Sequence, residues 1–228
     1  MRYRLRAATG VASALVALLL ANSTTAGAWG EYPVATPGAF LVSTATAGNG
    51  MPYQCTAGFL VKTPNGAPAM LTAGHCRRDP NNDTVLQRTP HGDRAIGHYV
   101  RWEVIPGVHD VGLVDLAGSS VPLLSDLDGM RVSRVLTADD VRREQPQLCK
   151  SGARTGLSCG QLTQVTDTQV SFRAWDDLGD SGAPVYVRQD DGTVAAVGIL
   201  FGHSDDAQGR IIHASLVSPV MANWGITF

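Results

Sequence analysis

A serine set between glycines and acids is the part of this sequence best suited to chemistry. The segment reads Leu178-Gly179-Asp180-Ser181-Gly182-Ala183-Pro184-Val185. Glycines on both sides leave the Ser181 hydroxyl uncrowded and allow the backbone to turn tightly. They also free backbone N–H groups to point at one neighbouring atom, as stabilisation of an oxyanion requires. The same residue types are common in ordinary turns, so a nucleophilic role for Ser181 depends on a base and a carboxylate elsewhere in the chain.

A base is needed because a serine hydroxyl is a poor nucleophile until a hydrogen-bonded group takes its proton. The six histidines of the chain are His75, His91, His98, His109, His203 and His213. His75 differs from the others because it follows an apolar run at Ala73-Gly74 and directly precedes Cys76. A strand end beside a disulfide would hold the imidazole rigidly. The alternative interpretation of His75 is a half-buried structural histidine.

The carboxylate is predicted in the segment His109-Asp110-Val111-Gly112-Leu113-Val114-Asp115-Leu116. Asp110 opens the apolar run, whereas Asp115 lies inside it and faces the opposite side of the strand. A buried acid is costly unless it is paired, and an imidazole N–H would remove that cost. We therefore predict Asp110 as the third member. Its neighbour His109 should point to the other face and lie in solvent.

Short apolar runs separated by turn residues make up most of the chain. Examples are Ala39–Val42, Thr56–Val61 and Ala69–Ala73, and Lys62–Gly66 between the last two is typical of a hairpin turn. Many β-branched runs cut by Gly, Pro, Asn and Asp indicate an all-β sandwich or barrel. A stretch rich in Ser, Gly, Pro and Asp, Ala117–Asp128, divides the chain into halves that are compatible with two packed β units.

Helical patterns are confined to two short segments. Thr137–Glu144 could form a single helical turn, and Ser218–Trp224 is predicted to form a short C-terminal helix. The chain contains neither an internal repeat nor a low-complexity stretch.

The N-terminal residues have the layout of a secretory signal peptide. Three arginines within the first six residues precede the apolar stretch Val11–Ala21, and Ala26-Gly27-Ala28 is a small-x-small cleavage site. We predict that residues 1–28 are a signal peptide and that the protein is secreted. An uncleaved N-terminal anchor is the alternative, although a membrane-spanning helix needs about 20 apolar residues.

The charge balance gives no reason to expect nucleic acid or an anionic membrane as partner. The full chain of 228 residues has a formal net charge of −2, and removal of the three N-terminal arginines would change it to −5. We expect a monomer that acts on protein or peptide substrates and does not bind membranes once the signal is removed.

Four cysteines, Cys55, Cys76, Cys149 and Cys159, fit an exported protein because disulfides persist outside the reducing cytosol. Four cysteines allow three pairings. They form an early and a late pair along the chain, so Cys55–Cys76 with Cys149–Cys159 is the economical prediction. A zinc site is the rival interpretation, but the chain has no CxxC motif. We expect neither a metal nor a cofactor.

Three motifs in this order resemble the chymotrypsin-like serine proteases. They are Leu71-Thr72-Ala73-Gly74-His75-Cys76, Asp110-Val111-Gly112-Leu113-Val114 and Gly179-Asp180-Ser181-Gly182-Ala183-Pro184-Val185. The order His, Asp, Ser is that of this family, whereas subtilisins and α/β-hydrolases use other orders. The cysteine loop Cys149–Gly160 is similar to that of the bacterial secreted branch, the streptogrisin and α-lytic protease type. The resemblance extends from about Phe40 to the end of the chain.

The resemblance implies one protease domain, residues 29–228, built from two packed six-stranded antiparallel β-barrels. Their expected boundaries are about 38–120 and about 128–217, followed by a C-terminal tail at 218–228. The catalytic residues would lie in the cleft between the barrels.

The resemblance also assigns roles that follow the established Ser-His-Asp mechanism. Ser181 would attack the scissile carbonyl, His75 would take and later return the proton, and Asp110 would hold the imidazole. The backbone N–H groups of Gly179 and Ser181 would form the oxyanion hole.

Asp180 occupies a position that is a buried carboxylate in this family and needs a cation. In the bacterial branch a basic side chain of the cysteine loop supplies it. Lys150 matches that position, with Arg154 as the alternative. If Lys150 is the partner, activity needs no N-terminal cleavage beyond removal of the signal.

The specificity pocket is implied at residues 174–178, 200–204 and 212–214. The predicted pocket residues are Trp175, Leu178, Phe201, Gly202, His203 and His213. Trp175 and Phe201 are bulky and could narrow the pocket, and no cysteine pair brackets it. Asp176 and Asp177 would favour a basic side chain, whereas the two histidines would attract a carboxylate, so the preferred residue stays open.

Two functions follow from these observations. The first is a secreted serine endopeptidase that works through an acyl-enzyme. The alternative is a binding protein of the same fold whose pocket is narrowed or blocked and which has little peptidase activity.

Overall fold

The computed structural model of this chain describes residues 34–46, 48–119 and 121–228. The predicted signal peptide, 1–28, lies outside the described residues. Within these ranges the chain forms fourteen β-strands and two α-helices. The predicted all-β class is therefore confirmed. In the same ranges, no helix has the length and apolar character that crossing a membrane would require.

The first seven strands form one antiparallel sheet in the order β2-β1-β5-β6-β7-β4-β3. They are β1 (Phe40–Thr46), β2 (Pro52–Thr56), β3 (Leu60–Lys62), β4 (Pro68–Thr72), β5 (Thr84–Thr89), β6 (Gly92–Ile105) and β7 (His109–Asp115). A 3₁₀ turn at Gly74–Cys76 follows β4. The predicted hairpin turn connects β3 to β4, where Thr63 N donates to Ala67 O over 2.9 Å.

The other seven strands form the second sheet in the order β12-β9-β10-β11-β14-β13-β8. They are β8 (Val132–Val135), β9 (Gln147–Gly152), β10 (Gly156–Val165), β11 (Gln169–Arg173), β12 (Pro184–Arg188), β13 (Val194–Asp206) and β14 (Gly209–Leu216). An additional pairing between β12 and β13 closes six antiparallel strands into a ring. The remaining strand, β8, lies outside this ring and is parallel to β13.

Both predicted helical segments are helices. The first, α1 (Ala138–Glu144), begins with a capping box in which the Thr137 hydroxyl accepts from Asp140 N and the Asp140 carboxylate accepts from Thr137 N. These bonds satisfy two backbone donors that the first turn leaves unpaired. The second, α2 (Val217–Trp224), ends at Gly225, whose φ of +66° gives the left-handed cap that favours glycine.

The buried apolar residues form two clusters: one lies in the first sheet and extends onto β9, β12 and β13, and the other lies inside the second sheet. Phe59, Met70 and Leu71 are fully buried in the first, and Phe172 and Val185 in the second. Burial of each such large side chain stabilises the fold by about 1.5–3 kcal/mol relative to exposure. The buried residues of α2 belong to the first cluster, and the helix packs beside β13.

Strand β7 is buried along nearly its whole length, unlike a strand with one solvent face. One side faces the first cluster, and β13 and β14 of the second sheet pack against it. A run that is apolar on both faces is expected of such a strand. This places the beginning of β7, with Asp110, at the junction of the two halves.

Candidate active site

The imidazole of His75 lies against the carboxylate of Asp110. His75 is in the 3₁₀ turn after β4, and Asp110 is the second residue of β7. His75 Nδ1 is 2.5 Å from Asp110 Oδ2, and His75 N donates to Asp110 Oδ1 over 2.9 Å. Because two bonds hold the carboxylate on one side of the ring, Nε2 is the nitrogen left for a second partner.

Gly74 permits this close approach. A Cβ at Gly74 would lie 2.9 Å from Val111 O and 3.1 Å from Asp110 Oδ1. Both distances are shorter than ordinary van der Waals contact, so a side chain there would push the His75 turn away from β7.

Ser215 of β14 holds the main chain of Asp110 from the second sheet. The Ser215 hydroxyl accepts from Asp110 N over 2.8 Å and lies 3.3 Å from Asp110 O, and Ser215 is fully buried. Sequence reasoning missed this residue. A single serine inside an apolar strand carries no pattern that points to a partner 105 positions away.

The other residues considered beside Asp110 lie elsewhere. Asp115 accepts from Ala117 N over 2.8 Å at the far end of β7. The prediction that His109 lies in solvent is wrong, because it is only 7% exposed. Its Nε2 is 3.7 Å from Glu103 Oε2, and burial lowers the pKa of His109. Trp224 of α2 donates to Glu103 over 3.0 Å, so the C-terminal helix covers this face.

The loop that carries Ser181 is fixed against the first sheet. Thr56 N donates to Ser181 O over 2.7 Å, and Cys76 Sγ is 3.9 Å from the same oxygen. Gly182 has a φ of +92°, and a Cβ there would lie 2.2 Å from Thr72 Oγ1 and 2.3 Å from Thr56 O. Only glycine fits both the conformation and the space. The serine is thereby held next to the residue that follows His75.

The Ser181 hydroxyl makes no hydrogen bond to His75 within the described residues. Catalytic hydrogen bonds of this kind are often long without substrate and tighten when substrate binds. The loop lies against the Cys55–Cys76 disulfide, whose Cys76 directly follows His75 in the chain.

The backbone N–H groups of the loop divide into two kinds. Asp180 N donates to Asp177 O over 3.0 Å, and Gly182 N donates to Leu200 O over 2.7 Å. Among the described residues, the N–H groups of Gly179 and Ser181 have no such acceptor. Gly179 takes a φ of +110°, which a residue with a side chain rarely adopts. The N–H groups on either side of Asp180 N are therefore available to an acceptor outside the chain.

Asp180 and Lys150 form a fully buried ion pair with an Nζ–Oδ2 distance of 2.8 Å. Thr155 Oγ1 donates to Oδ2 over 2.5 Å, and the backbone N–H groups of Arg154 and Thr155 donate to Oδ1 over 2.9 and 3.1 Å. Burial by itself would raise the pKa of Asp180, but the bonds from Lys150 and Thr155 outweigh it and lower the pKa. Arg154 contributes only its backbone, so the structure places Lys150 at the carboxylate.

The two disulfides are Cys55–Cys76 and Cys149–Cys159, the economical pairing. The first joins β2 to the 3₁₀ turn beside His75. The second bridges directly opposite residues of β9 and β10, at the base of the loop that holds Lys150 and Thr155.

The predicted pocket residues are spread over the surface and the interior. Trp175 is 60% exposed, and the Arg210 guanidinium lies 4.6 Å from its ring centroid. Leu178 is 86% exposed. Phe201 is partly buried and stacks on His213 with ring centroids 6.3 Å apart. Trp175 therefore faces solvent and does not fill a pocket.

The polar residues of this region bind one another. Asp176 is 2% exposed, its carboxylate is 3.1 Å from His203 Nδ1, and its backbone O accepts from Arg210 over 2.6 Å. His213 lies between two hydroxyls, with Nδ1 2.9 Å from Ser171 Oγ and Nε2 2.9 Å from Ser204 Oγ. Burial, and then the proximity of His203, lower the pKa of His213.

Two further residues of the predicted pocket segments are Gly202 and Asp177. Gly202 lies on β13 opposite His213, next to an irregularity in the pairing with β14. Asp177 turns its carboxylate back, so that it accepts from Leu178 N over 2.7 Å. Neither aspartate of the pair at 176–177 therefore presents a free carboxylate to a pocket.

Comparison with known proteins gives a match in structure. No protein-family model matches the sequence, and no curated protein is similar to it in sequence. Thermobifida fusca protease A superposes with a TM-score of 0.62 at 21% identity, covering 86% of this chain and 98% of that one. Nocardiopsis protease superposes with a TM-score of 0.62 at 24% identity over the same shares.

A third solved structure is a glutamic-acid-specific serine protease described as using a histidine triad in substrate binding. It superposes with a TM-score of 0.58 at 23% identity, covering 84% of this chain and 98% of that one. The chain therefore has the fold of the bacterial chymotrypsin-like serine proteases, as the sequence motifs predict.

Proposed function

We propose that this protein is an exported serine endopeptidase. What supports the proposal most is the pairing of His75 with Asp110 at 2.5 Å, beside a serine loop that two glycines and Thr56 hold in place. The types and setting of these groups are those that nucleophilic catalysis by serine requires. Two disulfides are consistent with an oxidising compartment outside the cytosol.

In the proposed mechanism, Ser181 Oγ attacks the carbonyl carbon of the scissile bond while its proton passes to His75 Nε2. Asp110 keeps the proton of His75 on Nδ1 and stabilises the imidazolium that forms. The imidazolium then protonates the leaving amine, and the acyl group stays on Ser181. Water attacks this ester in the second half, with His75 again as base.

The N–H groups of Gly179 and Ser181 are proposed to bind the oxyanion of each tetrahedral intermediate. Donors aimed at developing charge are worth roughly 3–4 kcal/mol each to the barrier. Their direction depends on the conformation of Asp180 between them, which the pair with Lys150 holds. A cation from within the folded chain makes a freshly cut N-terminus unnecessary for this purpose.

The first test is labelling of the purified protein by a fluorophosphonate, which reacts only with an activated serine. We expect stoichiometric labelling of the wild type and none of Ser181→Ala, with hydrolysis of active-site titrants lowered roughly 10³-fold or more. Both proteins should unfold at the same temperature, because Ser181 contributes no packing that alanine lacks. Ser125→Ala, at an exposed serine, is the matched control and should label normally.

A folded wild type that does not react would contradict the proposal and favour the alternative, a binding protein of the same fold. That alternative depends on bulky residues at the pocket. The exposure of Trp175 removes one of them, and Phe201 is the residue on which it now depends.

A further inference from the structure

Two consecutive arginines follow the disulfide beside His75, and their surroundings differ. Arg77 is anchored, because it pairs with Asp83, donates to Pro80 O over 3.2 Å and stacks 3.9 Å from the ring centroid of Trp102. Arg78 is exposed, and its guanidinium lies 4.7 Å from the ring centroid of Tyr53. Within the described residues no carboxylate oxygen lies within 4.0 Å of Arg78.

Tyr53 and Arg78 lie at the edge of the candidate active site. The Cys55–Cys76 disulfide joins the strand of Tyr53 to the turn that precedes Arg78. Cys76 Sγ is 3.9 Å from Ser181 O, and the Cβ of Gln54 is 3.9 Å from where a Cβ of Gly179 would be. Tyr53 and Cys55 face the same side of their strand, and Tyr53, Arg78 and the disulfide line one surface depression whose Cys76 lies beside Ser181 O.

The direction of a bound peptide follows from the pocket. The pocket segments at 174–178 and 200–204 are on the second sheet, and they would receive the part of the substrate that stays on Ser181. The part that leaves must then extend the other way, over the disulfide and the first sheet. Tyr53 and Arg78 flank that disulfide, since Tyr53 is two residues before Cys55 and Arg78 is two residues after Cys76.

We propose that Tyr53 and Arg78 form a subsite that binds a carboxylate in the leaving part of the substrate. The carboxylate is either an Asp or Glu side chain or the C-terminus of the leaving peptide. This inference rests on the proposed endopeptidase function. A guanidinium binds a carboxylate through two parallel N–H···O bonds, and the Tyr53 ring limits the positions that the guanidinium can take.

The solvent exposure of Arg78 determines how strong the preference for a carboxylate can be. An ion pair in contact with water is weak and is screened by salt. A preference of about fivefold for a carboxylate over the matching amide is therefore expected, and it should fall towards one in 1 M NaCl.

The test isolates the leaving side by acyl transfer. One ester substrate acylates Ser181, and an added dipeptide amide competes with water for the acyl-enzyme. The amine nitrogen attacks the ester carbonyl, the bond to Ser181 Oγ breaks, and the proton of the amine passes through His75 to that oxygen. Because the acyl group is the same in every reaction, the partition ratio reports only the leaving-side subsite.

Nucleophiles with Glu or Gln at the first or second position are compared, with amidated and with free C-termini. We expect a Glu:Gln partition ratio of about five at one position in the wild type and about one in Arg78→Gln. Free C-termini that outperform amidated ones only when Arg78 is present would identify the terminal carboxylate as the source. Arg94→Gln, which removes an exposed arginine of β6, should keep the wild-type ratio.

Two outcomes would overturn the inference and separate it from the proposed function. An acyl-enzyme that partitions without preference for carboxylates, or with a preference that Arg78→Gln retains, refutes the subsite and leaves the endopeptidase intact. Failure of the wild type to form an acyl-enzyme with any ester refutes both.

Discussion

Two buried aspartates, four residues apart in one loop, differ in how well hydrogen bonds and a nearby cation compensate their charge. Asp180 is fully buried, and both of its carboxylate oxygens accept hydrogen bonds, with the charge matched by Lys150. Asp176 is almost as buried, but within the described residues neither of the nitrogens near its Oδ1 makes a well-aligned hydrogen bond to it. Its neighbours are His203, at 3.1 Å, and Arg210, whose nearest guanidinium nitrogen is 3.5 Å from the carboxylate.

The difference shows which part of the loop is built for rigidity. Burial of a charge is tolerated when a partner and further hydrogen bonds compensate it, as they do at Asp180. At Asp176 the compensation is incomplete and comes from partly exposed groups. The end of the loop next to Ser181 is thus held by more hydrogen bonds than the end at Asp176.

The largest effect is expected from removal of the cation beside Asp180. Lys150→Met leaves a buried carboxylate without its partner, which should lower the free energy of unfolding by about 3–5 kcal/mol. Activity should be lost with it, because the N–H groups on either side of Asp180 lose their direction. Chemical denaturation and active-site titration measure the two effects.

Lys62→Met is the matched control for Lys150→Met, since Lys62 is exposed and has no role in the site. A Lys150→Met protein of wild-type stability would contradict the interpretation of the pair. A double variant, Lys150→Met with Asp180→Leu, should recover part of the stability, because it removes both buried charges together.

The pH dependence of stability tests the same pair without a large change in structure. The pKa of Asp180 is lower in the folded protein than the ordinary aspartate value of about 3.9. The carboxylate therefore stabilises the fold fully above that value, and this contribution is lost as the pH falls through the folded pKa. Denaturation between pH 2 and 6 should show the loss in the wild type and a smaller slope in Asp180→Asn.

A smaller effect is expected at the second aspartate. Asp176→Asn keeps the shape but weakens the bonds from His203 and Arg210, which should cost about 1–2 kcal/mol of stability. We expect kcat to change little and KM to change for some substrates, because Asp176 lies at the pocket and not at the serine. A loss of stability equal to that of Lys150→Met would show that the two aspartates are equivalent.

The smallest effect concerns His213, which borders the Asp176 group. Its pKa is below the ordinary histidine value of about 6.5 because the ring is buried. A base whose pKa is lowered by folding takes up protons more readily when unfolded, so stability falls as the pH falls below 6.5. His213→Asn should slightly reduce the dependence of the free energy of unfolding on pH between pH 5 and 7. If that dependence is unchanged, it arises from His109, whose pKa is also lowered by burial.

Much of the local structure could be predicted from the sequence. The short helical segment at 137–144, the glycines around Ser181 and the strand-opening position of Asp110 each depend on residues within a few positions of one another. The pairing of each cysteine with its near neighbour follows the same logic. These features can be predicted from the sequence because each backbone conformation restricts which residue types can adopt it.

What only the tertiary structure decided involves residues far apart in the chain. Ser215 reaches Asp110 across the junction of the two sheets, Trp224 of α2 donates to Glu103 of β6, and Arg210 stacks on Trp175 while it donates to the backbone O of Asp176. Each of these contacts is made by one polar side chain in an unremarkable local setting. The packing of the two halves determines which group each of these side chains meets. That packing depends on the shapes of both surfaces together, so it cannot be read from either segment alone.

The same division applies to the candidate site. The sequence by itself determined the types and order of the groups at His75, Asp110 and Ser181. The family resemblance already implies the pairs His75–Asp110 and Asp180–Lys150, and the folded chain brings both together. Only the folded chain added Ser215 beside Asp110 and left Arg78 without a carboxylate partner among the described residues. Hydrogen bonds and charges act over a few ångströms, so their partners are settled only when distant segments meet.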